Sequence, residues 1–78
     1  MEEELNRKVG LVIEYYNDPC QSERVQTIIR EIQNLYDFNE ETEENLKPLL
    51  EELYRHVVKR EFHSELILEL LKEMDKIQ

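Results

Sequence analysis

The 78-residue chain has no alanine and no tryptophan, a single glycine (Gly10), a single cysteine (Cys20) and two prolines (Pro19 and Pro48). Each shortage excludes something. Cys20 has no partner within the chain, so no internal disulfide can brace it. One isolated glycine cannot build the glycine-rich loop that cradles a phosphate. Without alanine every core position takes a larger side chain, so helices should pack toward the wide end of the roughly 8–10 Å interaxial range. No apolar run approaches the ~20 residues of a membrane span. Met1-Glu2-Glu3-Glu4 carries the wrong charge for a secretory signal, and the expected setting is reducing and cytoplasmic.

Acid, by contrast, is plentiful. Asp and Glu number 19 against 10 Lys and Arg, for a net charge of −9. A phosphate backbone rewards clustered cations, so direct nucleic-acid binding is not expected. An anionic membrane surface is disfavoured on the same ground. The length sets one helical domain, residues 1–78. A core this small supplies only roughly 3–5 kcal/mol. Stability must then come from close helix packing, a partner or self-association.

Apolar residues recur every three or four positions, the helical period. Leu5, Val9, Val12, Ile13 and Tyr16 mark a first helix at about 3–16. Asn17-Asp18-Pro19 ends it and starts the next, with Asp18 as N-cap, Pro19 in the first turn and Gln21 completing a capping box; Ser22 is the alternative cap. Val25, Ile28, Ile29, Ile32, Leu35 and Tyr36 form one narrow stripe on a second helix, about 19–36. Asp37–Glu44 reads as an acidic connector. A third helix at about 46–60 starts from Asn45, which keeps Pro48 in the first turn, where a missing N–H is tolerated. It buries Leu46, Leu49, Leu50, Leu53, Tyr54 and Val57. Phe62 falls off that face, and the stripe of Leu66, Ile67, Leu70, Leu71, Met74 and Ile77 is rotated by about 100° from it. A break at Phe62-His63 with Ser64 as N-cap gives a fourth helix at about 64–77. The prediction is an all-α fold, a small four-helix bundle or orthogonal array, with a three-helix alternative in which helices three and four are fused.

Few constellations carry chemistry. Asp37-x-Asn39-x-Glu41 starts like a calcium loop, but Thr42 replaces the turn glycine and Pro48 the bidentate Glu. No Glu-x-x-His pair exists for a di-iron site, and His56, His63 and a distant Cys20 do not make a zinc site. No metal and no cofactor are expected. Cys20 near a helix start could be imagined as a nucleophile, yet nothing local supplies its base. Arg55, His56, Lys59 and Arg60 form the one basic cluster, suited to a helix C-terminus.

The segment Glu44-Asn45-Leu46-Lys47-Pro48-Leu49-Leu50-Glu51-Glu52-Leu53 resembles a helix start in a family of splicing-factor domains through its Leu-Lys-Pro-Leu centre. The resemblance covers only that segment, and no residue role follows from it.

Apolar residues off the core faces are the most informative for function. Leu11 and Tyr15, four apart, form a second strip on helix one. Leu68 stands off the face of helix four, and Phe38 lies in the connector. These four are the candidate partner-binding residues, with Tyr15 as aromatic anchor. The leading expectation is a non-enzymatic protein–protein interaction module that binds a protein partner or forms a homodimer through this face. The second is an acidic inhibitor that mimics nucleic acid and occupies a basic channel, its carboxylates concentrated at Glu40, Glu41, Glu43 and Glu44.

Overall fold

In a computed structural model the apolar stripes become four helices around one core. The structure describes residues 3–59 and 61–77, so Arg60 of the basic cluster lies outside the described residues. Among them no strand occurs. Helix α1 spans Glu3–Tyr16, α2 Glu23–Asp37, α3 Glu43–His56 and α4 Phe62–Ile77. Helices three and four are separate: α3 ends at His56, Val57 turns to extended backbone, and the fused alternative is excluded.

Local hydrogen bonding explains where the boundaries depart from expectation. Asp18 does not cap α2. Its carboxylate accepts from the Cys20 N–H at 2.8 Å and its carbonyl from the Gln21 N–H at 3.0 Å. That is a turn with Asp first and Pro19 second, the places those residues favour. Ser22 caps α2 instead, its side chain accepting from the Val25 N–H. At the other end Asn39 takes a left-handed φ of 55°. The Glu40 N–H reaches the Leu35 carbonyl and the Asn39 N–H reaches that of Tyr36, the paired bonds of a Schellman ending.

Helix α3 begins three residues before expectation, because Thr42 rather than Asn45 is its cap, accepting from the Asn45 N–H. Pro48 therefore sits inside the helix and removes the bond that its N–H would make to the Glu44 carbonyl. Helix α4 starts two residues early. Ser64 is not its cap but the third helical residue, fully buried, accepting from the Glu61 N–H at 3.2 Å and donating to the Glu61 carbonyl at 2.9 Å. A side chain at that position reaching back to the cap N–H is half of a capping box.

Each helix packs closely on two others, α1–α2, α2–α3, α3–α4 and α1–α4, with no close backbone approach across the diagonals among the described residues. Cross-helix ion pairs fix the directions. Lys8 meets Glu73 at 2.9 Å, Lys47 meets Asp75, and Arg24 meets Glu52 at 3.0 Å. In each pair a residue near one helix's start meets one toward the other's end, so α1–α4, α3–α4 and α2–α3 run antiparallel. Between them lie Leu5, Val9, Val12, Tyr16, Val25, Ile28, Ile29, Ile32, Leu46, Leu50, Leu53, Val57, Leu66, Ile67, Leu70 and Met74, all buried. The accessible area is 5204 Å², where a folded monomer of 9.6 kDa is expected to expose about 5,100 Å². The area is thus that of an ordinary compact chain of this mass.

Candidate interaction surface

The surface that stands apart is built where the end of α1 meets the start of α4. Leu11 and Tyr15, one turn apart on α1, lie outside the core stripe and are 39% and 42% exposed. The first turn of α4 brings His63 over Tyr15, the rings stacked 3.6 Å apart at 7°. Phe62 meets the edge of His63 at 5.1 Å and is 71% exposed. Three rings thus form one outward strip. Beside it a shallow groove of about 400 Å³ is lined by Leu11, Glu14, Tyr15, Asp18 and His63.

Tyr16 anchors the strip from within. It is buried, edge-on to Tyr15 at 4.9 Å, and its hydroxyl donates to Glu61 Oε1 at 3.0 Å. Burial, reinforced by that hydrogen bond, pushes its phenol pKa well up. Adjacent residues on one helix are thereby divided between the core and the surface.

The four residues singled out from sequence do not share one place. Leu11 and Tyr15 are together. Leu68 is half-buried in α4 and does not line the groove. Phe38 is 73% exposed, but it caps the far end of α2, about 22 Å along that helix from its start. Sequence reasoning missed Phe62 and His63 as surface-forming residues. The signal was present: Phe62 fits neither neighbouring apolar stripe, which served only to locate a helix break.

Elsewhere on the surface two groups of polar side chains are paired. Glu52 gathers Arg24 at 3.0 Å, Arg55 at 3.3 Å and His56 at 3.3 Å. Arg24 and then His56 hold its carboxyl below the usual carboxylate range. Lys59 donates to the Tyr54 and Val57 carbonyls and lies over the Tyr54 ring at 4.6 Å, so it satisfies one orphan carbonyl of the α3 C-terminus and that of the C-cap. Tyr36 Oη and Glu41 Oε2, by contrast, are buried with no hydrogen-bond partner among the described residues. Burial, and then the Glu41 charge, pushes the Tyr36 phenol up to about 12. A second groove, of about 240 Å³, is lined by Asn17, Asp18, Pro19, Gln26, Arg30 and Gln33. Gln26 already donates to the Pro19 and Gln21 carbonyls. The Cys20 thiol is exposed. Among the described residues no cluster of three His, Cys, Asp or Glu side chains is placed to hold a metal, and no helix is long and apolar enough to cross a membrane.

Fold and surface together define a small all-helical domain with an exposed aromatic strip at the junction of its first and last helices. The chain matches no known protein family, no curated protein and no solved structure.

Proposed function

We propose that the chain is a non-enzymatic protein–protein interaction module, an adaptor, subunit or regulator, whose working surface is the groove centred on Tyr15. One observation carries this reading: the Tyr15–His63–Phe62 strip is left outside a core that is already closed. Contiguous exposed apolar surface marks interaction sites, and aromatic anchors supply most of their binding energy. The acidic-mimic alternative draws less support. Glu43 and Glu44 occupy the first turn of α3, where carboxylates answer the helix dipole without any partner.

The test is Tyr15→Asp, with helicity followed by circular dichroism. Partner or dimer binding should be lost with the helices retained. Binding that persists unchanged would remove this surface from the reading.

A further inference from the structure

We propose that the groove receives a basic, apolar-anchored segment of another protein and not a second copy of this chain. The inference rests on the reading of this face as an interaction surface and adds the chemistry of its occupant. Its apolar part is Leu11, Tyr15 and His63; its polar walls are Glu14 and Asp18. Neither carboxylate has a cationic partner among the described residues, and what sets the two apart is that they flank the apolar lining of one groove. One oxygen of Asp18 accepts from the Cys20 N–H, and the Glu14 side chain makes no hydrogen bond within the described residues.

A two-fold dimer would press the same patch onto itself. Glu14 and Asp18 would then be pressed onto a patch that carries the same two carboxylates, between two chains that each have a net charge of −9. Like charges brought together at an interface are penalised. Arginine or lysine meets both requirements of the groove. A guanidinium pairs with a carboxylate in a two-pronged fashion and packs favourably beside aromatic rings. A neighbouring leucine or aromatic side chain of the same segment would lie between Leu11 and Tyr15.

The probes are two labelled amphipathic peptides with the same leucine positions, one with arginine and one with glutamate on the polar face. The arginine peptide should bind, weakening by at least about tenfold on Tyr15→Ala. Glu14→Gln with Asp18→Asn should weaken it about fivefold, mainly through the on-rate, and flatten its salt dependence. Glu40→Gln with Glu44→Gln removes the same charge from the connector and the first turn of α3 and should change binding by less than about twofold, because distant exposed charges are screened. Equal losses from the two charge pairs would overturn the proposal, reducing the binding to diffuse attraction. Binding of both peptides with equal dependence on Tyr15 would keep the face and overturn its charge selectivity. Sedimentation in reductant separates the last cases. A dimer dispersed by Tyr15→Asp keeps the face but makes a second copy its occupant, whereas a Tyr15 variant without effect on any of these removes both readings. Circular dichroism of every variant confirms that the fold is retained.

Discussion

The α1–α4 seam and the end of α2, with the connector after it, handle polar and aromatic groups in opposite ways. Across α1–α4 the polar groups are matched: Lys8 with Glu73, and Tyr16 with Glu61. The rings that do not fit the core stack on one another outside it. Around α2 and the connector after it, Tyr36 and Glu41 instead each keep a buried oxygen unmatched. Tolerating an unmatched group inside costs stability, whereas leaving rings outside costs little and leaves a surface able to bind. The contrast teaches where this chain is organised for folding and where it has surface to spare.

The largest expected effects test whether both sides share one core. Leu5→Ala in α1 and Ile32→Ala in α2 should each destabilise by about 2–5 kcal/mol in urea unfolding, a large part of what so small a core supplies. A much smaller loss for Leu5→Ala would mean that the α1–α4 seam is peripheral. Next come the two phenols. Tyr16→Phe should cost about 1 kcal/mol through the lost Glu61 bond. Tyr36→Phe should be neutral or stabilising, because the hydroxyl it removes has no partner. Equal costs would erase the distinction between the two sides.

Alkaline pH sharpens the same comparison. An unfolded tyrosine ionises near pH 10, while Tyr36 is pushed up to about 12 and Tyr16 is raised as well. The fold therefore holds these protons more tightly than the unfolded chain does. Their contribution is fully present below about pH 10 and is lost as pH rises toward the folded values. Urea midpoints should fall across that window, and less steeply in Tyr36→Phe. The smallest effect is at Gly10, which is mid-helix and exposed, and where an added Cβ would meet no atom within 4 Å. Gly10→Ala should stabilise by roughly 0.5–1 kcal/mol without altering peptide binding.

Periodicity made the core legible. The stripe Val25, Ile28, Ile29 and Ile32 is buried as a unit, and α1 spans Glu3–Tyr16 as expected, because one narrow apolar face can be buried in only one way. Helix starts were less legible. Pro48 was expected in a first turn, yet α3 accommodates it further in, since packing of Leu46, Leu50 and Leu53 outweighs one lost backbone bond. Asp18 and Ser22 are both competent caps, and Pro19 favours a turn as readily as a helix start. The surface was half visible. Leu11 and Tyr15 share a helix strip, but their meeting with His63 and Phe62 depends on how α4 docks against α1, which no spacing within one helix encodes.

The exposed thiol of Cys20 lies two residues beyond Asp18, on the turn that forms one wall of the groove. Left in air, two chains can join there through a sulfur–sulfur bond and migrate as a covalent pair that owes nothing to Tyr15. Cys20→Ser removes that artefact. The native thiol, in turn, offers one position for attaching a dye whose emission would report directly on what enters the groove beside it.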